Sequence, residues 1–201
     1  MTRNEQASGD LRVRRTRKLI LDALFELTIE KGFAAVTVRD ITQYAGINRA
    51  TFYRHYRDKF DLLDQYSQAV YQLLDKQPEA ELVPGGQEGA DQSAPGLVRM
   101  FAHIRANAGF YRVMLGRQGD PAFAEKVRQY IEKRLRRSLP ESLKPDPTSV
   151  DLYLTYISSG SLGVVLWWLE HDLPYSSEEM AAVSFRLSAA NFEAMLGQDA
   201  S

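Results

Sequence analysis

The chain has 201 residues, 44% of them hydrophobic and 25% charged, which is the composition of a globular protein with one or two domains. It has no cysteine, so disulfides, cysteine-based zinc sites and thiol nucleophiles are excluded. The polar N-terminus is unlike a signal peptide, and we expect a cytoplasmic location. The net charge is −1, but residues 1–60 hold 12 Lys and Arg against 7 Asp and Glu, whereas residues 61–201 hold 13 against 19. This basic N-terminal part predicts a polyanionic partner.

Residues 1–11 are polar and predicted to form a flexible tail, and helical patterns follow it. Asp-Pro pairs and a Ser-Glu capping box mark the starts of the later helices. Segment 77–96 holds three Pro, four Gly and no Lys or Arg, and predicts a mobile loop. No run alternates with a period of two, so the prediction is an all-α protein with about nine helices. The expected helices lie at about residues 12–31, 38–44, 49–56, 59–76, from 97 onward, 121–139, 147–170 and 177–196.

The most informative stretch lies within residues 37–59. An apolar helical stripe ends at Gly46, which permits a sharp turn with positive φ, and Asn48 is placed to cap the next helix. Phe52 and Tyr56 lie at i and i+4 and therefore share one face of that helix. This order of helix, turn and helix predicts a helix-turn-helix unit, whose second helix enters the DNA major groove.

The outward face of that second helix has the residue types for DNA contacts. The residues expected there are Ala50, Arg54 and Arg57, with Thr51 and Tyr53 on its two shoulders. No Asp or Glu occurs from Ile41 to Arg57, while three Arg do, as a phosphate-lined groove requires. A solvated surface face is the alternative, but such surfaces usually mix both signs of charge.

A second basic group stands at the start of the first helix and comprises Arg12, Arg14, Arg15, Arg17 and Lys18. Cations at a helix N-terminus oppose the helix dipole, so a compensating anion is expected there. DNA phosphate is the simplest such anion, and a disordered basic tail is the alternative.

Residues 12–62 resemble the DNA-binding part of TetR-family transcriptional regulators in order, spacing and residue type. The resemblance is carried by Gly32-Phe33, Thr37-Val38-Arg39-Asp40-Ile41, Ala45-Gly46-Ile47 and Thr51-Phe52-Tyr53-Arg54-His55-Tyr56-Arg57-Asp58-Lys59. Thr42 and Tyr56 stand where alanine and phenylalanine are usual in the family. The resemblance implies a three-helix DNA-binding domain at 12–58 and a helical ligand-binding and dimerisation domain at 59–201. The latter is similar to the subgroup found beside dihydroxyacetone-kinase genes.

The family resemblance also implies roles for individual residues. Thr37 would cap the first helix of the motif and touch a phosphate, and Tyr53 would press on a base or phosphate. His55 and Lys59 would hold backbone phosphates. Arg49, Ala50, Thr51 and Arg54 occupy positions that vary with operator sequence. The full set of candidate DNA-binding residues is Arg14, Thr37, Arg39, Asn48, Arg49, Ala50, Thr51, Tyr53, Arg54, His55 and Lys59.

The last two helices are predicted to form a homodimer interface, as the family resemblance implies. Residues 152–169 carry no charge and just reach the length of a membrane span, but serines and glycines dilute their apolarity, so a buried core or interface helix is favoured. The dimer-interface candidates are Gly160, Gly163, Val164, Trp168, Val183, Leu187, Ala190 and Ala194. An apolar core within one chain is the alternative for this stripe.

An internal cavity for a small-molecule effector is also expected in the C-terminal part, where aromatic residues are frequent. The candidates are Tyr66, Phe101, Ile104, Phe110, Met114, Tyr130, Tyr153 and Trp167, with His103 and Arg105 placed to orient a polar group. Aromatic residues at helical spacing are alternatively ordinary core.

No enzyme is predicted, because the three histidines are scattered and no phosphate-binding glycine loop or nucleophile motif occurs. No metal, cofactor or membrane partner is expected either. The sequence therefore predicts a TetR-like repressor that binds a palindromic operator as a homodimer and is released by an effector. The alternative is a DNA-binding protein without a small-molecule response, which acts through a protein partner.

Overall fold

The computed structural model describes residues 3–75, 95–117, 119–139 and 147–197. Within these ranges the chain forms helices and no β-strand, which confirms the prediction of an all-α protein with about nine helices. A single 3₁₀ turn, Phe33–Ala35, lies between the first two of them. The α-helices are α1 (Arg3–Lys31), α2 (Val38–Tyr44), α3 (Arg49–Tyr53), α4 (Lys59–Asp75), α5 (Pro95–Ala106), α6 (Ala108–Leu115), α7 (Pro121–Ser138), α8 (Pro147–Glu170) and α9 (Ser177–Gly197).

Three helix boundaries differ from the predicted ones. Helix α1 begins at Arg3, so residues 3–11 of the predicted tail are helical. The basic group at residues 12–18 therefore lies inside the helix and not at its start, so the predicted opposition to the helix dipole does not apply there. Helix α3 ends at Tyr53, three residues early, because the N–H groups of His55 and Tyr56 both bond to the carbonyl of Phe52 and close the last turn. The predicted loop at 77–96 lies outside the described residues, apart from its last two residues, which begin α5.

The break between α5 and α6 was not predicted. It falls at Asn107, whose side-chain amide donates to the carbonyl of His103 at 2.9 Å. A local bond of this kind competes with the helical hydrogen-bond ladder, which is why asparagine favours turns. Helix α6 therefore starts in a new direction and packs against both α1 and α8.

One buried apolar cluster runs through the N-terminal and C-terminal parts of the chain. It includes Ile41 and Phe52 beside the turn, Phe110 in α6 and Trp168 in α8. The half-buried ring of Phe25 in α1 stacks on Phe110 with ring centroids 4.0 Å apart. The helices that carry the predicted DNA contacts are thus joined by direct packing to the C-terminal part.

The C-terminal part is a bundle in which α5 packs on α9, and α7 and α9 both pack on α8. Helix α8 contains a segment, Thr148–Glu170, that is long and apolar enough to cross a membrane, with a mean hydropathy of 1.3. Only 39% of that segment is buried within the chain. Its inner side nevertheless holds Leu154 and Trp168, which are fully buried, so the helix belongs to the core of the bundle.

Candidate nucleic-acid interface and effector cavity

Thr37 begins α2 with a complete capping box. The N–H of Asp40 donates to the Thr37 hydroxyl at 3.2 Å, and the Asp40 carboxylate accepts from the N–H of Thr37 at 2.9 Å. Lys31, at the end of α1, pairs with the same carboxylate at 2.8 Å. The hydrogen bond from Lys31, assisted by Thr37, lowers the pKa of Asp40 from 3.8 to about 2. Two helices are thereby fixed to each other by one half-buried carboxylate.

The turn between α2 and α3 has the backbone that the sequence predicts. Gly46 has a φ of +63°, a left-handed conformation that other residues adopt only with strain. Asn48 then caps α3, because its side-chain oxygen accepts from the N–H of Ala50 at 2.8 Å. Phe52 and Tyr56 are buried, as predicted, and hold α3 against the core.

The outward surface of α3 is exposed, and we call Arg49, Ala50, Thr51, Tyr53 and Arg54 the recognition face. Its polar side chains hold one another in place. The Arg49 guanidinium donates to the Tyr53 hydroxyl at 3.3 Å and lies 5.9 Å from the centre of that ring. Arg54 donates to the Thr51 hydroxyl at 3.1 Å. These arrangements keep guanidinium groups and the small Ala50 at the surface, where base edges and phosphates would lie.

The candidate DNA-binding side chains divide into an exposed and a half-buried group. Those with exposed side chains are Arg14, Thr37, Arg39, Asn48, Arg49, Ala50, Tyr53 and Arg54, and those half-buried are Thr51, His55 and Lys59. Burial, together with the nearby charges of Arg17 and Arg54, lowers the pKa of His55. Helix α1 therefore brings a cation near the end of α3, and the two basic segments adjoin.

Lys59 does not fit the predicted role of a phosphate contact. Its ammonium donates to three backbone carbonyls, those of Phe33, Ala34 and Val36, at 2.8, 3.0 and 2.8 Å. It also lies 4.7 Å from the centre of the Phe33 ring. An ammonium has three donors, so all of them are engaged within the chain. In this structure Lys59 fixes the start of α4 to the 3₁₀ turn, a structural role that helix periodicity does not reveal.

A cavity of about 100 Å³ lies inside the C-terminal part, between α4, α5, α6, α7, α8 and α9, and we call it the C-terminal cavity. Three of the eight predicted residues line it, namely Phe101, Ile104 and Tyr130. Its walls are mainly apolar, and its polar groups include His103, Tyr71, Arg134 and Ser184. A concave, mostly apolar space with a few polar groups is the usual form of a small-molecule site.

The other five predicted cavity residues lie elsewhere. Phe110 and Met114 are buried in the core, and Tyr153 packs against Phe192 in a separate cluster. Trp167 is 43% exposed. Tyr66 stands behind the cavity wall, where its hydroxyl lies 2.9 Å from Nε2 of His103 and 3.3 Å from the Tyr111 hydroxyl. These predictions were wrong because aromatic residues at helical spacing can point to any of several packed neighbours.

The cavity also contains residues that the sequence analysis missed, above all Tyr71 and Ser184. Tyr71 lies in α4 between the cavity-lining residues Val70 and Leu74, and its aromatic ring resembles an ordinary core side chain in the sequence. Ser184 and Ser188 interrupt the inward side of α9, between the buried residues Ala181 and Phe192. A polar residue inside an apolar stripe was the available clue to these positions.

The outer sides of α8 and α9 present a second exposed surface, which is apolar. We call it the α8–α9 face; it comprises Leu152, Tyr156, Gly160, Gly163, Trp167, Val183, Leu187 and Ala190. A Cβ atom added at Gly160 or Gly163 would meet nothing within 4 Å, so another helix could approach closely there. Five of the predicted dimer-interface residues lie on this face, and Val164 is half-buried beside it. The side chain of Ala194 lies outside the described residues.

The two adjacent tryptophans have the opposite of their predicted positions. Trp168, predicted for the dimer interface, is fully buried and donates its indole N–H to the carbonyl of Tyr175 at 3.0 Å. Trp167, predicted for the cavity, is on the α8–α9 face, where its ring stacks on His171. A single residue step turns a helix by about 100°, so a small error in phase exchanges an inner for an outer position.

Two family models match most of the chain. Residues 20–66 match the model of bacterial regulatory proteins of the tetR family, and residues 91–189 match a transcriptional regulator C-terminal region. An uncharacterized HTH-type transcriptional regulator, YxbF of Bacillus subtilis, is 42% identical over 62 residues, which are 30% of this chain and 16% of that protein. The chain thus matches only a small part of that relative.

Solved structures of transcriptional regulators share the whole fold. The dihydroxyacetone kinase operon activator DhaS is 17% identical, covers 89% of this chain and 97% of its own, and has a TM-score of 0.65. FadR from Bacillus subtilis, solved in complex with stearoyl-CoA, is also 17% identical, covers 87% and 98%, and has a TM-score of 0.55. These neighbours are regulators rather than enzymes.

We predict different consequences for one lysine substitution and one arginine substitution in the DNA-binding part. Lys59→Met leaves three carbonyl groups without their donor and should lower the free energy of unfolding by about 2 kcal/mol. The salt dependence of its DNA binding should stay unchanged in the folded protein. Arg14→Ala should leave stability nearly unchanged and reduce the slope of log K against log salt by about 0.9. Chemical denaturation and salt titrations measure both; a reduced slope for Lys59→Met would restore it as a phosphate contact.

Asp40 predicts a dependence of stability on pH. Its folded pKa of about 2 is below the ordinary value of 3.8, so its contribution is present above about pH 4 and is lost as the pH falls towards 2. Asp40→Asn should therefore be less stable than the original chain at pH 6, and the difference should shrink between pH 4 and pH 2. Denaturant titrations at several pH values measure this. A difference that is constant with pH would assign the effect to the capping geometry alone.

Proposed function

Because this chain belongs to the TetR family of transcriptional regulators, we propose that it binds a palindromic DNA operator as a homodimer and acts as a cytoplasmic repressor. We further propose that a small molecule in the C-terminal cavity releases it from the operator. The observation that carries the proposal is the recognition face, where exposed arginines stand on a helix whose start is capped and whose inner side is buried. Such a helix can enter the major groove with its side chains already oriented.

The proposal of a homodimer rests on two observations. Helix α3 has five residues and spans only about 7.5 Å, so one copy reaches few base pairs. Proteins with this motif gain specificity by placing two copies on half-sites about one helical turn apart. The α8–α9 face supplies an exposed apolar surface, including Leu152 and Leu187, that a second copy would cover.

The effector part of the proposal rests on how the cavity is connected. Tyr111 lines the cavity, and its neighbour Phe110 stacks on Phe25 of α1. Tyr71 lines it from α4, the helix whose first residue, Lys59, holds the 3₁₀ turn. A ligand that moves α4 or α6 would therefore displace the helices that position α3. By linkage, it must bind the form with displaced α3 helices more tightly than the DNA-bound form.

The test is a binding selection of the purified chain against random duplex DNA, followed by a salt titration on the enriched sequence. We expect two inverted half-sites and a slope that corresponds to several phosphate contacts. A promoter reporter carrying that operator would then measure repression. Absence of any enriched sequence would contradict the proposed operator, and an asymmetric single site would contradict the homodimer.

Arg54→Ala should relax base preference. If the guanidinium contacts guanine with two hydrogen bonds, the substitution should cost about 1–3 kcal/mol on the preferred operator and much less on a variant at that base pair. The difference is measured by binding the original protein and Arg54→Ala to a set of operators, each of which is changed at a single base pair. An equal loss on every operator would make Arg54 a phosphate contact.

The adjacent tryptophans provide a matched pair for the dimer. Trp168→Ala should lower the free energy of unfolding by about 3–5 kcal/mol, because it removes a fully buried ring. Trp167→Ala removes an exposed ring and should instead weaken self-association, with little effect on the unfolding of a separated subunit. Sedimentation equilibrium and denaturation measure the two effects. Unchanged association of Trp167→Ala would place the dimer interface elsewhere.

A further inference from the structure

Two residues that line the C-terminal cavity carry hydroxyl groups without hydrogen-bond partners. Among the described residues, three buried side-chain polar atoms have none: Oη of Tyr71, Oγ of Ser184 and Oγ1 of Thr28. The residues Tyr71 and Ser184 both line this cavity. Buried hydroxyl groups in proteins are nearly always bonded, because an unbonded one loses its interaction with water without replacement. Their shared location indicates a site for a molecule that has oxygen atoms.

The position of the Tyr71 hydroxyl is fixed by the packing of the tyrosine ring. This ring stacks on Tyr130 with centroids 4.0 Å apart and an angle of 8° between the planes. Tyr130 is in turn fixed by its hydroxyl, which donates to the carboxylate of Asp75 at 2.9 Å. Burial raises the pKa of Tyr71, so this group remains a neutral donor and acceptor at all physiological pH values. A fixed, neutral hydroxyl can select a ligand by the position of its oxygen.

The histidine and the arginine of the cavity are already paired. His103 lies within 3.0 Å of the hydroxyl groups of Tyr66 and Tyr111, and burial lowers its pKa, which keeps it neutral at pH 7. Arg134 donates to the carbonyl of Leu74 at 2.8 Å and pairs with Asp75. A charged group in this space would therefore find no free counter-charge among the described residues, and burying it would be costly.

The size of the cavity limits the ligand further. A dry apolar cavity of about 150 Å³ holds one benzene molecule. At about 100 Å³, the C-terminal cavity is smaller than this and fits at most a compound with a single ring, and not a long chain, unless its walls move apart.

We propose that the effector is a small, uncharged, oxygenated hydrocarbon, such as a ketone, an alcohol or a phenol, whose oxygen atoms bond to Tyr71 and Ser184. This inference rests on the effector response proposed above and names its ligand class. It also assigns a consequence to binding. Tyr71 belongs to α4 and Ser184 to α9, beside the exposed residue Val183, so the ligand connects the helix that leads to the DNA-binding part with the α8–α9 face.

The experiment measures binding to the full chain by calorimetry, with probes matched in size. Cyclohexanone, benzyl alcohol and phenol are the uncharged oxygenated probes, toluene has no oxygen, and benzoate is charged. Lauroyl-CoA serves as a long, charged probe. We expect at least one oxygenated probe to bind more tightly than toluene, and benzoate and lauroyl-CoA not to bind.

Two variants remove the hydroxyl groups and keep the shape of the site. Tyr71→Phe and Ser184→Ala should each weaken the oxygenated probe about three- to tenfold, the effect of one hydrogen bond, and leave toluene unchanged. Neither should lower the stability of the free protein, since an unbonded hydroxyl is removed. The controls are Tyr153→Phe and Ser158→Ala, whose hydroxyls donate to the carbonyls of Ser188 and Thr155. These should lower stability and leave probe affinity unchanged.

Operator release, measured with the selected DNA, separates the two proposals. If lauroyl-CoA binds and releases the operator while the oxygenated probes do not bind, the ligand class is wrong and the effector response stands. If an oxygenated probe binds through Tyr71 and Ser184 but operator affinity is unchanged, the ligand class stands and the effector response is wrong. Failure of every oxygenated probe to bind, or binding that neither variant weakens, overturns the inference.

Discussion

The packing of α1 against α6 is the constraint on which the rest of the structure depends. The stacked rings of Phe25 and Phe110 join the helix that supports the DNA-binding part to the bundle that encloses the cavity. Protein interiors are close-packed, so a displacement on one side of such a contact cannot be absorbed in place. The position of α3 relative to the α8–α9 face is therefore a property of the whole chain and is not set within α2 and α3 alone.

Lys59 adds a polar connection to this apolar one. Its ammonium donates to two carbonyls of the short 3₁₀ turn and to the carbonyl of Val36, which caps that turn. Lys59 is also the first residue of α4. Burial lowers the pKa of Lys59, but its hydrogen bonds favour the charged form. The residue thus links the DNA-binding part to the wall of the C-terminal cavity through a single helix, which gives α4 a means of transmitting ligand binding.

The exposed surfaces of the chain differ in chemistry according to the partner proposed for each. The recognition face and residues 12–18 of α1 are rich in arginine, which can donate to phosphates and base edges. The α8–α9 face is apolar and contains two glycines, which permit close approach of a second helix. The membrane-like hydropathy of α8 agrees with the proposed homodimer, because a helix that is buried on one side and covered by a partner on the other needs few charges.

The sequence by itself determined the local structure of this protein. The caps at Asn48 and Asp120 and the positive φ of Gly46 depend only on residues nearby in the chain, so residue type and spacing were sufficient to predict them. The cap at Thr37 is equally local and was implied by the family resemblance. Tertiary structure alone decided which side chains meet across helices. It buried Trp168 rather than Trp167, engaged Lys59 with carbonyls more than twenty residues away, and placed Tyr71 and Ser184 in one cavity. Such contacts depend on the rotation and crossing of whole helices, which a small change in phase alters and which no single segment specifies.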